Sequence, residues 1–130
     1  MKQISLLCAL YILTMSHAFA AWQLVKETRD YILYVDLDAA EKNGARVTLA
    51  SSQDFHKMQT LGEHQYLSSK SVTEFDCEKS VMRQIAFSIF PENMANGGAL
   101  ISEDQPQQEW VPLQQASAAE ALWQKACGQN

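Results

Sequence analysis

The sequence has no cluster of basic residues, few cysteines and, past its N-terminus, no long apolar run. Ten Lys and Arg residues against fifteen Asp and Glu residues in a chain of 130 give a formal net charge of −5. Nucleic acids and anionic lipid surfaces are bound mainly through clustered basic side chains, so neither is an expected partner. The hydrophobic share of 47% is ordinary for a folded protein and excludes a disordered tail. The length fits one domain, and no internal repeat is visible.

The long apolar run lies at the N-terminus and is typical of a secretory signal peptide. Lys2 precedes the apolar segment 4–15, and Ala18 and Ala20 supply the small residues that a signal peptidase requires. Such a segment is too short to cross about 30 Å of hydrocarbon, so no membrane span is expected. We predict that residues 1–20 are cleaved and that the protein is exported. Cleavage after Ala18 is the nearest alternative cleavage site. The other alternative is that this segment is not cleaved and forms a buried N-terminal helix.

Export would leave two cysteines in the remaining domain, residues 21–130. Cys8 lies within the apolar run without small residues before it, so no lipid-attachment site is expected. An oxidising compartment favours a disulfide between Cys77 and Cys127, with two free thiols or an intermolecular bridge as the alternatives. The bridge would close a loop of about 51 residues.

Residues 21–130 are predicted to form strands and turns followed by one helix. Asn43-Gly44 is the strongest turn dipeptide, and Pro91 should end a strand. The assignment of residues 36–42 is ambiguous, and a helical turn is one alternative. Residues 51–64 are polar, and part of this segment is expected to form a mobile loop. Alternating apolar, aromatic and β-branched residues predict strands at 22–25, 31–35, 46–50, 66–77, 81–89 and 99–101.

The C-terminal segment is predicted to form an amphipathic helix. Ser117 and Glu120 have the spacing of a capping box, and Gly128 suits a left-handed C-terminal cap. The apolar face would consist of Ala119, Leu122, Trp123 and Ala126. Cys127 lies one turn beyond Trp123, so a bridge to Cys77 would pin this helix to the strand that ends there.

Candidate catalytic and metal-binding residues are sparse. His56 and His64, near Asp54 and Glu63, are too few and too far apart to predict zinc, although a metal site stays open. The spacing of Glu74, Asp76 and Glu78 puts three carboxylates on one strand face, where an exposed acidic edge is the commoner outcome. Weaker candidates are a Cys77 nucleophile, serines 68, 69 and 71, and an acidic segment at 103–109 without calcium-loop glycines. No catalytic, cofactor or metal site is predicted.

Several motifs of the chain occur in a characteristic order. An early Trp22 strand is followed by Tyr34-Val35-Asp36, by the segment 68–77 ending Phe-Asp-Cys, and by a late Trp110-Val111-Pro112. A terminal helix then ends in Cys127. This arrangement resembles the surface-adhesin protein E family, small exported proteins of Gram-negative bacteria. The residues carried over as framework are Trp22, Ser69, Lys70, Phe75, Asp76, Cys77, Arg83, Trp110 and Cys127.

The resemblance implies an α+β fold: an antiparallel sheet of about six strands with the C-terminal helix packed on it. It further implies a Cys77–Cys127 disulfide, a homodimer, and binding of matrix and plasma proteins such as laminin, vitronectin and plasminogen. The founding adhesin is a surface lipoprotein, whereas no lipid-attachment site is expected in this chain. The periplasm and the cell surface therefore both stay open as its location. Lys70 and Arg83 would either contact an acidic partner or protect a sheet edge against pairing with another strand. A periplasmic structural or envelope-stress protein is the alternative function, and a hydrolase or metal enzyme is the third.

Overall fold

The computed structural model describes residues 22–104 and 109–128, which are mostly strand. The predicted signal peptide, residues 1–20 with Cys8, lies outside this part of the chain. The described residues form one antiparallel sheet with a single helix on one face. The elements are β1 (Trp22–Glu27), β2 (Tyr31–Asn43), β3 (Arg46–Leu61), β4 (His64–Asp76), β5 (Val81–Phe90), the 3₁₀ turn Asn93–Ala95, β6 (Ile101–Asp104), β7 (Val111–Pro112) and α1 (Ala118–Ala126).

The sheet is a meander in which β1 to β6 pair in chain order. β7 also pairs with β5, at the opposite end of that strand from β6, so the described residues contain seven strands where about six were predicted. Gly44 has φ +61° in the two-residue connection between β2 and β3, where a left-handed residue suits the twist of a hairpin. The Asn43-Gly44 turn and the end of β5 before Pro91 are both confirmed.

Two stretches between β2 and β4 are more regular than the sequence indicates. Residues 36–42, where a helical turn is open, continue β2. Residues 51–61 continue β3, so the loop expected within 51–64 is reduced to the two-residue turn Gly62-Glu63. Both stretches are polar, but their backbone groups find partners on the neighbouring strand, and this pairing outweighs composition. The register shifts between Asp36 and Glu41 and again between Asp54 and Gln59. Residues without a cross-strand partner at these two places form irregularities in the strand pairing.

The core lies between α1 and one face of the sheet. Leu122 and Ala126 of α1 pack on buried side chains of three adjacent strands, which are Leu33, Val35, Val47, Leu49 and Phe75. The predicted N-cap is present, since the backbone amide of Glu120 donates to Ser117 Oγ at 3.1 Å. Gly128 takes the predicted left-handed conformation, with φ +67°. The helix is therefore defined by local capping and held by contact with β1, β2 and β3 and by a core cluster that includes Phe75 of β4.

A disulfide joins the C-terminal end of α1 to the end of β4. Cys77 directly follows β4 and Cys127 caps α1, and their Cα atoms are 5.5 Å apart. This distance is typical of a disulfide. The bridge thus fixes the far end of a helix of nine residues, which would be marginal by itself.

Removal of the bridge in the Cys77→Ser/Cys127→Ser variant should lower the melting temperature markedly. The closed loop of about 51 residues is worth about 4 kcal/mol on the chain-entropy model. Each kcal/mol corresponds to about 4–8 °C in domains of roughly 100 residues. Scanning calorimetry with and without reductant measures the effect. The reductant should destabilise only the wild type, and equal melting temperatures for the two proteins would contradict a stabilising bridge.

Truncation of the helix anchor in Leu122→Ala should cost about 2–5 kcal/mol, because this leucine is 5% exposed in the core. Gln124→Ala is the matched control, since Gln124 is exposed on the same helix and should change stability by no more than about 0.5 kcal/mol. Urea unfolding of both variants gives the comparison. Similar costs for the two would mean that the helix is not docked through Leu122.

Candidate functional site

The face of the sheet opposite α1, here called the helix-free face, carries an open trough. Residues that pair across neighbouring strands point to the same face, so the register defines its floor as one row from β1 to β5. The row consists of Trp22, Asp36, Ala50, Val72 and Ala86. Small side chains at its centre leave a cavity of about 260 Å³ above the sheet, bounded by Trp22 and Lys70.

Lys70 stands beside this trough between two aromatic rings. Its Nζ lies 5.9 Å from the ring centroid of Trp22 and 5.8 Å from that of Phe90, within cation–π range. A second hollow of about 350 Å³ shares Trp22 and Lys70 and extends past Tyr34 to Met94. Because β4 pairs with a strand on each side, Lys70 does not lie on an edge strand and does not protect a sheet edge. It places a positive charge where the two hollows meet.

The 3₁₀ turn forms the wall of the second hollow and is held in a strained conformation. Met94 and Ala95 have φ of 57° and 56°, in the left-handed region that residues other than glycine rarely adopt. The Met94 amide donates to Asp54 Oδ1 at 2.8 Å, and the Ala95 amide donates to Ser68 Oγ at 2.9 Å. Asn93 Nδ2 also donates to Asp54 Oδ1, at 2.9 Å. Such strain persists only where surrounding contacts impose it, and here it presents a half-exposed Met94 beside Tyr34.

On the other side of the trough, Trp110 lies against two guanidinium groups. Arg83 is 4.5 Å and Arg46 is 5.3 Å from the Trp110 ring centroid. Arg83 is also held by Glu74, with Nη2 2.8 Å and Nε 2.9 Å from Oε1. Glu74 shares a face with Val72, two residues earlier on β4, so this cluster belongs to the helix-free face. The stacking anchors the segment that leads into β7.

The remaining framework residues lie inside the fold. Phe75 is fully buried in the core, and Ser69 is 4% exposed. Asp76 is also buried, and its Oδ1 accepts from the amides of Glu78 at 3.0 Å and Lys79 at 3.1 Å. The three carboxylates at 74, 76 and 78 therefore do not form an exposed acidic edge, because the first pairs with Arg83 and the second caps a turn.

The other candidates for chemistry are not brought together. His56 and His64 lie on the outer part of the β3–β4 hairpin, and no three potential metal ligands cluster in residues 22–104 or 109–128. Cys77 is in the disulfide, and Ser68 Oγ donates to the Glu92 carbonyl at 2.6 Å. No helix in the described part of the chain is long and apolar enough to cross a membrane.

Comparison with known proteins identifies one family and one fold. A family model described as surface-adhesin protein E matches residues 22–128. A crystal structure of protein E from non-typeable Haemophilus influenzae is 14% identical, with a TM-score of 0.56, and the match covers 87% of this chain and 79% of that one. Crystal form II of Haemophilus influenzae protein E is 13% identical, also with a TM-score of 0.56, over 80% of this chain and 91% of that one. None of the curated protein sequences compared with the chain matches it significantly.

Sequence reasoning had singled out Trp22, Lys70, Arg83 and Trp110 without indicating that they share a face. It missed Phe90, Met94 and the floor residues Ala50 and Ala86. The strand pattern places alternate residues on one face, but the cross-strand register that joins them is not visible in the sequence. The left-handed backbone conformations of Met94 and Ala95 are not visible in the sequence, because neither residue is a glycine.

Replacement of the turn anchor in Asp54→Ala should release the 3₁₀ turn while leaving the sheet folded. The Met94 amide loses its acceptor, so its hydrogen exchange should become about tenfold faster or more. Core amides such as that of Leu49 should keep their protection. Asp38→Ala, at an exposed position on β2, is the control. Unchanged exchange at Met94 in the Asp54 variant would show that this carboxylate does not hold the turn.

Proposed function

Because the chain belongs to the surface-adhesin protein E family, we propose that it is an exported protein that binds other proteins through its helix-free face. Membership of the family identifies a non-enzymatic, adhesin-like protein. The finer parts of the proposal are the export, the face used and the partners. They rest on the signal-like N-terminus, on the trough and on the resemblance.

The observation that carries the proposal is the difference between the two faces of the sheet. One face supports the core under α1, and the disulfide holds that helix in place. The opposite face has the trough, the aromatic side chains around Lys70 and a strained turn that exposes Met94. Aromatic residues and methionine are enriched where proteins bind one another, and Trp22, Phe90 and Met94 are of these types. A surface built in this way suits a binding module better than a purely structural layer.

The partners expected from the resemblance are laminin, vitronectin and plasminogen, and a homodimer is expected on the same ground. The alternative is a periplasmic envelope protein with a partner in the envelope. Fractionation and protease treatment of intact cells distinguish the two. Exposure to external protease supports the adhesin function, whereas confinement to the periplasm supports the envelope function.

Filling the trough in Ala86→Tyr should weaken retention on immobilised laminin, vitronectin or plasminogen by about tenfold or more, because the new ring would occupy the cavity of about 260 Å³. The control Gln124→Tyr adds the same side chain to the exposed side of α1. Biolayer interferometry with protein from the exported fraction measures both. Wild-type retention no higher than background on all three ligands would exclude these partners, and equal retention of both variants would exclude the helix-free face.

A further inference from the structure

We propose that the trough accepts an extended segment of a partner protein and that a carboxylate of this segment binds Lys70. The inference rests on the proposed binding function and adds to it the site and the chemical class of the ligand. It is argued from the accessible charge in the trough, from its length and from the apolar side chains along its rim.

Among the described residues that line the trough, the accessible charge is positive. The one other ionisable side chain among them is Asp36, which is 8% exposed and whose Oδ1 accepts from the Ala39 amide at 3.2 Å. Asp104, which pairs with Ala86, is exposed on β6 beyond the end of the trough. Lys70 is exposed and has no carboxylate at ion-pair distance in residues 22–104 and 109–128. Its contacts with Trp22 and Phe90 hold the ammonium group in place without neutralising it. A carboxylate is the protein group that complements such a cation.

The dimensions of the trough suit an extended chain. The floor crosses five strands, from Trp22 on β1 to Ala86 on β5. Strands lie about 4.8 Å apart, so this path is about 19 Å long. An extended chain advances about 3.3–3.6 Å per residue, and the path would hold about five or six residues. The small side chains of Ala50, Val72 and Ala86 let a ligand backbone approach the sheet.

The rim favours a peptide over an anionic sugar chain. Leu24 is 58% exposed and Met94 is 50% exposed, and both lie near Tyr34 on the helix-free face. Such apolar groups complement side chains of a peptide that alternate with its acidic residue. The formal net charge of −5 opposes the approach of a polyanion at long range, whereas a peptide with one or two carboxylates is repelled little.

The test is selection of a random peptide display library on the wild-type protein, followed by affinity measurements on the enriched peptides. The expected result is enrichment of peptides that contain Asp or Glu next to apolar residues. Lys70→Gln should weaken their binding about tenfold, equivalent to about 1.4 kcal/mol, while Lys70→Arg should preserve it. Lys57→Gln removes an exposed lysine of the outer β3–β4 hairpin and should have no effect. Raising the salt concentration should weaken wild-type binding more than that of Lys70→Gln.

Three results would overturn the inference. The first is no enrichment, or enrichment of peptides without acidic residues. The second is equal affinity of the wild type and Lys70→Gln for the enriched peptides, with both proteins showing the same melting temperature. The third is binding to acidic oligosaccharides on a glycan array without any peptide binding. If intact laminin, vitronectin or plasminogen is still retained in any of these cases, the binding function stands and only its assignment to an acidic segment fails.

Discussion

The structure depends on the docking of one short helix on one face of a much wider sheet. A helix of nine residues is about 14 Å long, whereas the sheet has six neighbouring strands about 4.8 Å apart. The buried apolar side chains that cluster with α1 lie on β2, β3 and β4. Farther along these strands the buried positions change to serine, as at Ser51 and Ser69. The disulfide matters because so small a contact would otherwise be the helix's main attachment.

The opposite face has no second layer among the described residues, and cation–aromatic contacts occur there instead. Lys70 lies by Trp22 and Phe90, and Arg46 and Arg83 lie by Trp110. Long basic side chains cover part of an aromatic ring with their methylene groups while their charges stay in water. The same contacts limit the conformations of these cations, so less conformational entropy is lost when a ligand binds. The residues that stabilise this face are therefore the same ones to which we assign recognition in the proposed function.

Local chemistry made a large part of the fold predictable. The turn at Asn43-Gly44, the end of β5 before Pro91 and the cap at Ser117 each depend on a residue and its immediate neighbours. The predicted secondary structure differs from the structure where pairing with a neighbouring strand determines whether a segment is a strand. The polar outer part of β3 is a strand because β4 pairs with it, and the two residues of β7 are a strand because β5 offers a free edge. Such pairing depends on the partner strand and not on the composition of the segment itself.

The sequence by itself determined the family resemblance, the spacing of Cys77 and Cys127 and the amphipathic helix, because each is a local pattern or a fixed spacing. Only the tertiary structure decided that Trp22, Lys70 and Phe90 meet. Their side chains come from three strands, and their common face follows from the strand register, in which Trp22 aligns with Val72 across β2 and β3 and Phe90 pairs with Ser68 on β4. A register shift of one residue moves a side chain to the other face, and that choice is made by packing across the whole sheet.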